Sequence, residues 1–103
     1  MIELTSKQRK FLEKTAQPMS PLVIIGGAGL TEEQIKQIQT VIKTHELIKV
    51  KFNEYKDEKI ELSSAIQEQT DSTLVRIIGN VAIFYKTAEK TADRKYEKAL
   101  LKA

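Results

Sequence analysis

The sequence has no cysteine, a single histidine, and no apolar run approaching membrane-spanning length. Without cysteine there can be no disulfide framework, thiolate metal site or cysteine nucleophile, which fits a cytosolic chain. A bilayer-crossing helix needs about 20 consecutive apolar residues, and no segment comes near that. Met1 to Lys14 lack the charged-then-apolar pattern of a signal peptide. The cytoplasm is therefore the expected compartment, with no membrane partner. His45 stands alone, so no His/His or Cys/His pair can form around it, and it is expected to interact with a helix C-terminus. Glu54, Asp57, Glu58 and Glu61 read as an exposed helix face rather than as convergent metal ligands. The expectation is a non-catalytic protein with no metal, no cofactor and no small-molecule substrate.

What is present describes one ordinary globular domain. A chain of 103 residues, 41% hydrophobic and 30% charged, can bury one modest core. The net charge of +3 is small, so its distribution matters more than its size. Residues 1–30 carry four basic and two acidic groups, and residues 87–103 carry five and three. Residues 54–86 reverse this, with four basic and six acidic groups. That polarity gives weak support for a polyanionic partner.

Element signals follow one another along the chain. Thr5 and Gln8 form a capping-box pattern, and Leu4, Phe11, Leu12 and Thr15 recur at helical spacing, predicting a helix over residues 5–16. Pro18 and Pro21 end it. Leu22-Val23-Ile24-Ile25 reads as a short, fully buried strand. Thr31 and Gln34 mark a second capping box, followed by Ile35, Ile38, Val41 and Ile42 on one helix face. Residues 47–52 alternate, with Ile48, Val50 and Phe52 opposite Lys49 and Lys51, as a half-exposed strand should. Residues 54–69 predict a third helix with Ile60, Leu62, Ala65 and Ile66 apolar. Gly79-Asn80 between two apolar runs signals a two-residue hairpin. A regular hairpin would pair Ile78 with Val81, Arg76 with Ile83 and Leu74 with Tyr85, leaving Val75, Ile77, Ala82 and Phe84 on the opposite face. The order α-β-α-β-α-β-β predicts a two-layer α/β domain over residues 1–86, with a mixed four-stranded sheet and helices mainly on one side. Residues 87–103 form a polar tail, in which Ala88, Ala92, Tyr96 and Leu100 recur every four residues, as do Lys90, Arg94, Lys98 and Lys102. Those are two winding stripes on a tail helix: the apolar one could dock on the open sheet face and the basic one could touch a polyanionic partner, or the segment could fray.

The chemically suggestive feature is Gly26-Gly27-Ala28-Gly29, between a strand and a capped helix. Glycines admit positive φ and clear side chains away, so a phosphate can approach backbone N–H groups at a helix start. No Lys-Ser/Thr follows, which rules out a P-loop, and no GxGxxG with a distal ribose acid occurs. A GxxG clamp on nucleic-acid backbone, as in KH domains, is the remaining match. Taken alone, the spacing fits an ordinary turn better than a ligand site.

Several segments together carry a family resemblance. They are Leu4-Thr5-Ser6-Lys7-Gln8-Arg9, Ile24 through Glu32, His45 through Lys51, and Ile78-Gly79 running into Phe84-Tyr85-Lys86. In this order, over about residues 2–86, the chain resembles the YhbY-like family, the stand-alone bacterial form of the CRM (chloroplast RNA splicing and ribosome maturation) domain. The resemblance implies a fold similar to the C-terminal domain of translation initiation factor three. It also implies RNA binding, with ribosomal RNA or a precursor of the large subunit as partner, and a GxxG loop at the RNA surface. Gly27 and Ala28 carry no charge, so cations must come from elsewhere. Lys7, Lys10 and Lys14 share a helix face, while Lys49, Lys51, Arg76 and Lys86 lie on or beside strands. Each has a second reading as a solvated or edge-protecting charge. The expected RNA site is thus the Gly26–Gly29 loop with these seven cations, in a monomer. The outer Tyr85 could stack on a base, though packing fits it better. The competing reading is a protein-interaction adaptor in assembly that uses the outer sheet face and the tail.

Overall fold

The computed structural model describes residues 2–103; Met1, the first residue of the expected domain span, lies outside the described residues. Helix α1 spans Ser6–Ala16, and the Thr5–Gln8 capping box closes in both directions. Strand β1 is Val23–Ile25, α2 is Glu32–His45 and β2 is Leu47–Phe52. A 3₁₀ turn at Lys56–Glu58 leads into α3, Lys59–Thr70. The hairpin is β3, Thr73–Ile78, with β4, Val81–Tyr85. A second 3₁₀ turn, Thr91–Asp93, precedes α4, Glu97–Lys102.

The sheet is mixed and four-stranded, in the order β1-β2-β4-β3. Strands β1 and β2 run parallel across the α2 crossover, and β4 pairs antiparallel with both β2 and β3. Val23, Ile25, Ile48, Val50, Phe52, Ala82 and Phe84 face α2 and α3, packing on Ile35, Ile38, Ile42 and Ile66. The alternate residues Leu47, Ile83 and Tyr85 face the other way, against Leu12 and Ala16 of α1 and Leu100 of α4. Helices therefore cover both faces, one layer more than the two-layer expectation. The reason is that β4 carries apolar residues on both pleats, joined on the outer one by Leu47 of β2, and each of these faces must be buried.

Several local expectations are revised. Leu74 pairs with Phe84 rather than Tyr85, because a bulge at Val75 shifts the register. Val75 thereby joins the α1 side of the core and Leu74 the α2 side. The Arg9 guanidinium seals the bulge, donating to the Leu74 and Val75 carbonyls at 2.7 and 2.8 Å. The run Leu22–Ile25 is not wholly buried: Val23 and Ile25 are, while Ile24 stands 50% exposed. The third helix starts at Lys59 rather than near Glu54, because Tyr55 adopts a left-handed conformation with φ 56°. Ile60, expected on its apolar face, is exposed. Gln34 does not return the second capping box; its side chain donates to the Ile24 carbonyl instead.

The tail does not form one helix. Its backbone is extended at Lys90 and again at Arg94, so the two four-residue stripes never align. What anchors it is Glu46. This fully buried carboxylate accepts from the Ala88 amide at 2.6 Å and the Lys95 amide at 2.5 Å. Gln8 adds a bond to the Leu100 carbonyl at 3.2 Å. Arg94 turns inward, donating to Ala88 O and to the Glu97 carboxylate. His45 meets its expectation at the end of α2, with ring Nδ1 2.9 Å from the Val41 carbonyl.

Candidate functional site

The glycine loop is a tight turn in which the Gly29 amide donates to Gly26 O at 3.0 Å. Gly29 is buried with φ +74°, a conformation that side-chain-bearing residues rarely adopt. A Cβ there would also meet the Tyr55 ring at 3.4 Å. Gly26 and Gly27 face open space and impose no such demand. The glycines thus divide their roles, Gly29 shaping the turn while Gly26 and Gly27 keep its outside clear.

Three further contacts fix the loop. The Tyr55 hydroxyl donates to Gly27 O at 3.0 Å, and Gln34 Nε2 donates to Ile24 O at 3.3 Å. At the end of β1, the Asn53 and Glu54 amides converge on Ile25 O. Thr31 caps α2 by accepting from the Gln34 amide. Among the described residues, the exposed Gly27 and Ala28 amides donate to no protein acceptor. They are preorganised donors with no charge of their own.

Charge around the loop is uneven. On one side a hollow beside Gly27 is lined by Glu54, Asp57 and Glu58, with Lys56 as its cation. The other side leads onto the sheet face that α1 only partly covers. There Lys10 and Lys14 of α1, Lys49 of β2 and Arg76 of β3 line one groove of about 650 Å³, floored by Ile78, Val81 and Ile83. Lys51 stands on the same face as Lys49, exposed, as the cross-strand partner of Ile24. Ile24 also lines the hollow over the glycine loop. Loop, Lys51 and groove therefore form one continuous surface.

The expected site residues separate into groups. The structure brings Lys10, Lys14, Lys49 and Arg76 together, with Lys51 and the Gly26–Gly29 loop next to them. Lys49 is partly committed, since its ammonium donates to the Gln17 and Met19 carbonyls at 3.0 Å and holds the end of α1. Arg76 is exposed and only loosely paired with Glu13, at 3.6 Å. Lys7 lies outside the groove, toward the start of α1. Lys86 lies at the far end of β4 from the hairpin turn, about 17 Å along the strand at 3.4 Å per residue. Its ammonium is bonded to the Asp71 carbonyl and carboxylate. Tyr85, read as an outer residue, is buried against Tyr96 with its ring in an edge contact. The residues that sequence reasoning missed are Tyr55, hidden inside an expected helix, and the half-exposed Ile24 and Ile78.

Residues 4–86 match the CRS1 / YhbY (CRM) domain. The chain belongs to that family. A CRM relative from Haemophilus influenzae, named "RNA-binding protein", is 35% identical over 91 residues, covering 87% of this chain and 92% of its own length. "Probable RNA-binding protein YqeI" of Bacillus subtilis is 33% identical over 88 residues, covering 84% and 92%. The solution structure of SAV1595 from Staphylococcus aureus superposes with a TM-score of 0.75 at 35% identity, covering 90% of this chain and 98% of that one. The CRM match ends at Lys86, so the Glu46-anchored tail lies beyond it.

Proposed function

We propose that this CRM-domain protein binds RNA, gripping the backbone along the surface that joins the Gly26–Gly29 loop, Lys51 and the Lys10–Lys14–Arg76 groove. Its role is that of a non-catalytic, monomeric assembly factor acting on ribosomal RNA in precursors of the large subunit. Family membership and the names of its relatives support RNA as the partner. The observation that carries the site is the distribution of charge about the loop. Lys10, Lys14, Lys49 and Arg76 outnumber Glu13 on the sheet side, Glu54, Asp57 and Glu58 outnumber Lys56 on the other, and Glu33 borders the loop on its α2 side. A polyanion approaching the loop is thus admitted from the sheet face and repelled from the 3₁₀ turn. Gly27 and Ala28 then supply N–H donors, and lysines the counter-charge. With no base-reading side-chain set in the groove, recognition rests on shape and backbone.

The adaptor reading is less well supported. Ala88 and Leu100 of the tail are already buried in the chain's own core, which leaves Leu101 as its exposed large apolar side chain.

A salt titration of binding to a ribosomal RNA fragment is the test. Four phosphate contacts on single-stranded RNA predict a slope of log affinity against log salt of about −3. A flat profile would remove the electrostatic site. Gly26→Asp with Gly27→Asp, both at open positions, should weaken binding at least tenfold without unfolding the domain. Full affinity in that variant would exclude the loop. Co-sedimentation with large-subunit precursors, lost in the same variant, tests the assembly role.

A further inference from the structure

The partly covered sheet face carries a second feature that a phosphate site alone does not explain. Ile24, Lys51, Val81 and Ile78 are successive cross-strand partners, one from each strand. They form a single row across the sheet, about 14 Å wide at 4.8 Å per strand gap. All four lie on the face opposite the α2–α3 core, since their chain neighbours Val23, Ile25, Val50, Phe52, Ala82 and Ile77 pack into it. Helix α1 covers this face only as far as Ile83, so Ile24 remains 50% exposed and Ile78 48%. Leu22, two residues before Ile24, adds a further exposed side chain at 42%. The result is an apolar ledge with one lysine in its middle, the glycine loop at one end, and Lys14 and Arg76 along its flank.

Duplex RNA offers such a ledge nothing. Its base faces are hidden in the stack, and its surface is phosphate, 2′-hydroxyl and base edges. Seating a duplex here would dehydrate two isoleucines against polar groups. Unpaired nucleotides expose flat apolar base faces while keeping their phosphates, and so match both halves of the surface.

We propose that the Ile24–Lys51–Val81–Ile78 row seats unpaired nucleobases, so that this domain takes single-stranded RNA, such as a loop or junction, in preference to continuous duplex. The proposal rests on the RNA-binding reading and adds the class of RNA. Because the ledge is aliphatic and has no hydrogen-bonding group apart from Lys51, it accepts any base. Lys51 neutralises the phosphate between seated bases.

The test compares the full chain on a labelled 20-nucleotide single strand and on the same strand annealed to its complement, at one salt concentration. The expected result is at least tenfold tighter binding to the single strand. Ile24→Thr with Ile78→Thr keeps β-branched residues on both strands and should cut single-strand affinity fivefold or more. Duplex affinity and the salt slope should stay unchanged. Equal binding of the two RNAs by the natural chain, or an unaltered preference in the variant, overturns the proposal while leaving RNA binding intact. Binding of neither RNA overturns the RNA reading itself. Photocrosslinking of the natural chain to a 4-thiouridine single strand gives an answer independent of any variant. Crosslinked peptides should contain Ile24 or Ile78, and crosslinks confined to other surfaces would exclude the ledge.

Discussion

Tyr55 and Gly29 hold each other in unusual backbone conformations, φ 56° and φ 74°. The ring fills the space a side chain at Gly29 would need, and the hydroxyl bridges to Gly27 O. Gly29→Ala should therefore destabilise the fold by about 1–3 kcal/mol, through left-handed strain and crowding. Gly26→Ala, with open space and no such φ, should stay within about 0.5 kcal/mol. Denaturant melts of the two variants make the comparison; equal losses would mean the loop is not built as described. Tyr55→Phe removes one hydrogen bond and should cost about 1 kcal/mol, and RNA affinity should fall several-fold if the loop's shape matters to binding. Lys10 and Lys7 form a second contrast on one helix. Lys10→Glu with Lys14→Glu reverses charge inside the groove, whereas Lys7→Glu lies outside it. The pair should lose affinity far more than the single change, as measured by fluorescence anisotropy.

At the scale of elements, the buried carboxylate of Glu46 couples the tail to the sheet. It sits at the one-residue junction between α2 and β2 with φ 62°, and accepts two tail amides. Glu46→Gln keeps the volume but replaces one acceptor oxygen with an amide group that faces an N–H. Losing a charge-assisted bond and stranding a buried donor should cost about 2–3 kcal/mol. Amide exchange at Ala88 and Lys95 should accelerate before exchange in β2 or β4 does. Leu100→Ala probes the same attachment from α4. Its buried side chain packs on the α1 face of the core, and truncation should cost about 2–4 kcal/mol. Unchanged melting in this variant would mean that the tail is not part of the folded unit.

For the whole molecule, the two-faced core and the lopsided surface charge set how stability and binding respond to solution conditions. Burial pushes the Tyr85 phenol above its ordinary value, with the Glu46 and Glu97 carboxylates acting in the same direction. A raised folded-state value means this group supports the fold below about pH 10. Above that the unfolded chain ionises first and the support is lost. Stability of the natural chain should then decline with rising pH more steeply than that of Tyr85→Phe, as read from melts between pH 9 and 11. Identical slopes would show that the phenol is not held in this environment.

Much of this protein is legible in its amino-acid sequence. Element order, the Thr5 and Thr31 N-caps, the Gly79-Asn80 turn and most of the α2–α3 core, though not Ile60 or Val75, follow from periodicity and capping chemistry. These are interactions between residues a few positions apart, and sequence spacing encodes them directly. The resemblance that placed the chain among CRM proteins was also a property of ordered local segments. Tertiary structure alone decided the rest. The bulge at Val75 turns Leu74 toward the α2–α3 core and Val75 toward α1, and no pattern within β3 announces it. The exposure of Ile24 follows from where α1 stops, as does the grouping of Lys10, Lys14, Lys49 and Arg76 apart from Lys7 and Lys86. Burial and charge convergence are sums over residues distant in sequence, so they exist only once the sheet has brought those residues together.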